Sequence, residues 1–384
     1  TIVPNEIRLV DTFGKPDANT FQYFFTAANF LSYGSDLRLA RAANTGTKNA
    51  TTSGTGVQVK NVLDYNQNHS TGSGSDEFIA KWPGAIGNAL GVSISDANTH
   101  AGWAYSTNFD SAPSTSDYAT NKGGSRDELH IVVYDRTGLL SGTAGTVLEK
   151  FAYVSKASDA KNSDGSSNYY KDVVNNRSKY VWWAKHNSDG TNWGNAAAGT
   201  TFAYLTAADT YTLSGGTDAV VTTGDIQRAI DLFANPDAVD VNLLMAGPAT
   251  GNTVPNYLTT IAETRKDCLV FLSPQSTDVI DNAGAEADDV VSYRNTLTAS
   301  SYAVLDSGWK YQYDKYNDVY RWVPLNGDTA GLCVRTDLQR DPWFSPAGFN
   351  RGVIKNVIRL SWNPDKTARD TLYKNGINPV VTFP

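Results

Sequence analysis

The chain has 384 residues, 40% of them hydrophobic and 18% charged, a globular composition that excludes a disordered polymer and leaves room for two or three domains. Its net charge is −7, and no basic run is interleaved with aromatics, which argues against a nucleic-acid partner because phosphate neutralisation needs clustered Lys and Arg. No apolar run approaches the roughly 20 residues of a membrane-spanning helix, and no signal-peptide pattern opens the chain.

From the N-terminus, Ile7 to Val10 reads as a mixed strand. Phe21, Phe24, Phe25, Ala28 and Leu31 then recur at helical spacing, and Leu37 to Ala40 reads as a short strand. Asn44 to Ser75 is mostly Thr, Gly, Ser and Asn and reads as a loop or linker. Phe78 to Ser95 predicts two short strands broken at Pro83-Gly84 and Gly87-Asn88, and residues 96–126 are polar and irregular. Leu129 to Tyr134 and Val147 to Val154 carry a hairpin signal. A helix over Tyr169 to Arg177 and a strand over Lys179 to Ala184 follow, then a polar loop to about Thr201.

The clearest unit is β-α-β. Thr223 or Asp225 can cap a helix with Ile226, Ile230 and Phe233 on its apolar face. Val239 to Ala246 and Cys268 to Leu272 read as buried strands joined by a helix carrying Leu258, Ile261 and Ala262. Such a crossover argues for parallel pairing. Near the end, Asn363 as N-cap, Pro364 and Gly376 bracket a short helix. Ile377 to Phe383 reads as a strand, and Pro379 suits it to a sheet edge.

Chemistry-bearing patterns are few. Gly247-Pro248-Ala249-Thr250-Gly251 lacks the lysine of a phosphate loop. Ser158-Asp159-Ala160-Lys161 has no companion motif. Asp159 to Gly165 places Lys161 where a calcium loop needs an oxygen. Cys268 and Cys333 sit in apolar stretches and read as buried free thiols rather than a disulfide. With four histidines, they give no metal-ligand spacing. Asp127-Glu128 and Asp288-Asp289 are carboxylate pairs of the type glycosidases use. With 20 Tyr and 9 Trp, a secreted carbohydrate-binding or glycoside-hydrolysing protein is therefore the alternative reading. No residue is singled out as catalytic, cofactor-binding or metal-ligating, and the expectation is a protein that is not an enzyme.

Several longer strings occur in fixed order: KYQYDKYNDVYRWVPLNGDTAGLCVRTD from Lys310, WFSPAGFNRGVIKNVIRL from Trp343 and DTLYKNGINPVV from Asp370. Pro324, Ala330-Gly331, Arg335-Thr336-Asp337, Ser345-Pro346-Ala347-Gly348 and Gly376-Ile377-Asn378 fall within them. Upstream are FGKPDANTFQYFFTAANFLSYGSDLRLARA at 13–42, AKWPGAIGNALGVSI at 80–94 and VLEKFAYVS at 147–155. Together they resemble the contractile tail sheath proteins of T4-like myovirus bacteriophages.

That resemblance implies a mixed α/β, multi-domain fold. A discontinuous inner α/β domain of 1–44 and 299–384 would hold an inserted outer α/β domain of 76–298, with the polar 45–75 segment where relatives carry an extra domain. It implies a structural subunit that stacks in helical rings around a tail tube. Contraction by rigid-body rearrangement would drive the tube through the host envelope for genome ejection. The implied partners are neighbouring sheath subunits joined through terminal arms that lie outside this sequence, the tube protein, and baseplate and terminator proteins, with no nucleic acid, membrane or cofactor. The implied place is the virion tail, assembled in the host cytoplasm.

Overall fold

The computed structural model describes residues 1–282 and 284–383. It is a mixed helix-and-sheet fold in two compact units, one made of Thr1–Ala42 with Val221–Pro384 and the other of Ala43–Val220.

In the discontinuous unit, strands Leu243–Met245, Leu269–Leu272 and Ala303–Leu305 form a parallel sheet in that order. The expected crossover is present, but its first strand is three residues long because Asp240 and Asn242 precede the apolar run. Alternate side chains feed two cores. Val270, Leu272 and Leu305 meet Leu258, Ile261 and Val290, whereas Phe271 meets Phe24, Phe30 and Ala330. Burial on both faces explains the near-continuous apolar run of the central strand. An antiparallel sheet pairs Trp309–Asp314 with Val319–Pro324 and with Arg359–Leu360.

The contiguous unit holds a four-stranded antiparallel sheet in the order Thr146–Ser155, Glu128–Asp135, Leu90–Ser95, Asp209–Thr212. A three-stranded sheet combines Asn49–Thr51, Phe78–Pro83 and Val181–Trp183. Leu129, Ile131 and Val133 pack with Leu90, Val92, Tyr170 and Trp183 in its main core.

Several expectations are corrected. The unit boundary falls at 220/221, not 298/299, because Ala303–Leu305 is the third strand of the parallel sheet and binds 221–298 to the C-terminal region. Residues 45–75 are folded, not a linker. Asn49–Thr51 is a strand, Asn61 caps helix Val62–Asn68, and buried Tyr65 stacks on Trp182 at 4.9 Å. Ile7–Val10 lies in helix Glu6–Phe13, because the Asn5 side chain accepts the Arg8 N–H and starts a turn where alternation suggested a strand. The cap of helix Thr223–Ile230 is Thr222, reciprocated by Asp225. Asp365, not Asn363, caps helix Lys366–Lys374, and Asn363 instead accepts the Thr382 N–H. Ile377–Phe383 makes one parallel bridge, Asn378 beside Asp306, and no strand. Cys268 is buried, but Cys333 is only half-buried.

Candidate assembly surface

Helix Asn326–Gln339 organises the discontinuous unit, and Asn326, Gly327 and Asp328 at its start are buried. A Cβ at Gly327 would lie 2.3 Å from the Thr26 carbonyl oxygen, and one at Gly331 would lie 2.4 Å from the Tyr33 ring. Small residues here let this helix cross helix Phe21–Leu31 at close range. Gly331→Ala is expected to destabilise the chain by about 1–3 kcal/mol through overpacking. An unchanged urea midpoint would mean that the Tyr33 ring moves aside freely.

Such movement is resisted by a polar network. The Lys310 ammonium lies 2.9 Å from both carboxylate oxygens of Asp328, with neither side chain exposed. It also donates to the Lys355 carbonyl at 2.9 Å. Tyr33 donates to Asp328 at 2.9 Å and accepts the Lys355 N–H at 2.7 Å. Burial pushes the Lys310 ammonium down and the Asp328 carboxyl up, while their mutual attraction opposes both shifts. Nearby, burial raises the Asp306 carboxyl to about 8. Its oxygens accept from the Ser273 hydroxyl at 2.7 Å and the Gly308 N–H at 3.0 Å.

This network fastens one end of the 340–358 segment. Just before Lys355, Arg335 of the helix donates to the carbonyls of Val353 and Arg351, and Arg351 reaches back towards the start of the segment to donate to the Ser345 carbonyl at 2.7 Å. The Ser-Pro-Ala-Gly and Asn-Arg-Gly strings are thus a loop closed by its own Arg351 and held to the helix by Arg335. Among its polar exposed residues the loop also leaves large apolar side chains outside. Trp343 is 78% exposed, Phe349 73% and Ile358 62%, with Leu338 at 73% and Phe383 at 60%. The Phe349 and Phe383 rings lie 4.7 Å apart. Single exposed hydrophobics are ordinary, but Trp343, Phe349 and Ile358 lie in this one short segment, with Leu338 in the helix before it and Phe383 against Phe349, which makes it a candidate contact surface. Val319–Pro324, the outer strand of its sheet, adds half-exposed Tyr320.

The patterns weighed for chemistry lie elsewhere and hold up structure. Asp127 is buried and accepts from Ser116 N–H and from the Ser116 and Ser155 hydroxyls, while Glu128 accepts the Ser114 N–H. Asp159 accepts the Ala197 N–H, and Lys161 is exposed. Asp289 accepts from Asn282 and, with Asp278 and Gly251, lines an open cleft of about 370 Å³. Asp288 does not line it. Among the described residues no group of three His, Cys, Asp or Glu could hold a metal. The aromatic surface escaped the sequence reading, although Trp343-Phe344 and Phe349 amid turn formers were a visible signal.

The family model for the phage tail sheath protein central domain matches residues 219–384, starting within two residues of the unit boundary. The chain is 30% identical to the tail sheath protein of Enterobacteria phage T4 across 498 aligned positions, covering 99% of this chain and 73% of that protein. The chain belongs to the phage tail sheath protein family. A sheath protein of Vibrio phage KVP40 is 41% identical over 201 positions, 47% of this chain and 30% of its own length. A solved sheath tail protein from Listeria innocua shares the fold at a TM-score of 0.51 and 10% identity. The alignment takes in 99% of the present sheath protein and 61% of the Listeria one. Its signature strings now have physical roles. Asn-Gly-Asp-x-Ala-Gly is a helix crossing plus a buried ion pair, and Ser-Pro-Ala-Gly is the base of an exposed aromatic loop.

Proposed function

We propose that this sheath protein is a non-catalytic structural subunit that polymerises as a helical stack of rings around a tail tube in the virion. On this reading it contracts to drive the tube through the host envelope. Its partners are copies of itself, the tube, and baseplate and terminator proteins. The observation that carries the reading is the match to the T4 sheath protein over 99% of the chain.

The apolar loop supplies the physical means. Burying its Trp343, Phe349 and Ile358 together with the neighbouring Leu338 and Phe383 is worth on the order of 10 kcal/mol gross, from which association costs are subtracted. Engaging a different surface on the next copy makes a head-to-tail contact, and one that does not close generates a helix. The outer strand Val319–Pro324 can accept an extended segment from a neighbour. Close-packed cores and a buried Lys–Asp pair in each unit favour contraction by rigid bodies with repacking interfaces.

The double variant Trp343→Glu with Phe349→Glu tests this. Because both side chains are exposed, its stability should stay within about 0.5 kcal/mol of wild type per site. Negative-stain images of the complete protein mixed with tail tubes should show sheaths for wild type and none for the variant. Normal sheaths from the variant would move the interface elsewhere, and no sheath from wild type would sink the reading itself.

A further inference from the structure

Strand Glu128–Asp135 presents two faces. Leu129, Ile131 and Val133 enter the main core, while Val132 and Tyr134 pack beneath Trp103, Tyr105 and Phe109 of the 96–127 strap. His130 shares that second face and is completely buried. Its Nε2 lies 3.0 Å from the Ser111 carbonyl of the strap, and its Nδ1 accepts the Tyr153 N–H at 3.1 Å. Only the neutral ring with its proton on Nε2 satisfies both contacts. The Phe109 ring lies parallel to it at 4.0 Å. Tyr153 has φ +52°, an uncommon conformation for a bulky residue, at a shift in strand register. One imidazole therefore holds both a strained bulge and the loop crossing over it.

We propose that His130 is an acid-operated latch: its neutral ring keeps the 96–127 strap and the Tyr153 bulge closed, and protonation of that ring frees both. A proton on Nδ1 would face the Tyr153 N–H, replacing an acceptor with a second donor. The surroundings do not welcome the charge. The His100 ring lies 5.6 Å away, with its own Nε2 buried and without a hydrogen-bond partner. The Tyr153 ring lies at 4.6 Å. Lys150 donates to the Asn108 carbonyl and lies 5.9 Å from the Phe109 ring. Glu128, two residues earlier on the same strand face, is engaged by the Ser114 N–H at 2.9 Å, and Asp110 is exposed. Burial, aided by His100, holds the His130 imidazole below its usual range. The closed form thus binds fewer protons than the open one, and closure weakens as pH falls below the free-imidazole value of about 6.5. The latch does not depend on the sheath reading.

Hydrogen exchange of the Tyr153 amide and of 96–127, corrected for intrinsic rates, tests it on the 384-residue chain between about pH 7.5 and about pH 5. In wild type the closed-to-open ratio should fall by up to about tenfold per pH unit once below about 6.5. His130→Gln, which can both accept and donate without titrating, should flatten that slope, while His100→Gln should keep it. An equal slope in His130→Gln, or none in wild type, overturns the latch. If His130→Gln fails to fold, NMR titration of selectively labelled histidines in wild type decides. A His130 ring titrating at or above the ordinary value refutes it.

Discussion

Lys310→Met is expected to cost the discontinuous unit about 3–5 kcal/mol, because Asp328 is left buried without its cation. Tyr33 would remain a donor to Asp328, but one hydroxyl cannot replace an ammonium held at 2.9 Å from both carboxylate oxygens. Lys310→Met with Asp328→Leu should recover a large part of the loss, since an apolar replacement of both partners removes the stranded charge. Recovery should be incomplete, because the Lys355 carbonyl and the Tyr33 hydroxyl each lose a partner. Urea unfolding of the single and double variants measures both terms. A single variant within about 1 kcal/mol of wild type would mean that Asp328, whose carboxyl burial already pushes up, takes up a proton and tolerates isolation.

Asp306→Asn is expected to stabilise the chain above neutral pH and to flatten part of its pH dependence. The folded carboxyl titrates at about 8 because of burial, against about 4 in an unfolded chain. The folded state therefore holds an extra proton between those two values. The associated stability is fully present below about pH 4 and declines by up to about 1.4 kcal/mol per pH unit until the folded value near 8 is passed. The amide does not titrate, and its oxygen can go on accepting from either the Ser273 hydroxyl or the Gly308 N–H, so one of the two contacts of the acid is kept. The difference in urea midpoint between variant and wild type should widen steadily from about pH 5 to about pH 8. A difference independent of pH would show that Asp306 is already ionised in the folded protein.

Strong periodicities and cap chemistry made much of this fold readable. The helix around Phe24, Phe25 and Ala28, the 128–155 hairpin and the parallel crossover at 243–272 are present because each carries a dense apolar pattern that the fold buries. Failures occurred where few residues carried the signal. In Glu6–Phe13 only Leu9 is buried, so alternation and helical spacing could not be separated. In 45–75 the decisive residue is Tyr65, one aromatic within a polar stretch, whose partner Trp182 is remote in sequence. The unit boundary was lost because Ala303–Leu305 is three residues long, and its pairing with Leu269–Leu272 leaves no local trace. The exposed aromatic loop is a surface property, and a sequence does not declare which aromatics stay outside.

The two ends of the chain meet in one unit, and this constrains how the protein is made. The Asn29 side chain donates to Gln312, 283 positions later. At roughly 5–20 residues per second, ribosomal synthesis separates these partners by about 15–60 s. Through that interval Phe24, Phe25 and Phe30 have been made, but the Ala330 helix that covers them has not. Residues 43–220 are contiguous and can close while the first 42 wait. The nascent chain thus holds an uncovered aromatic segment through that interval, the kind of exposed apolar stretch a holdase binds. Slower elongation lengthens that exposure rather than relieving it.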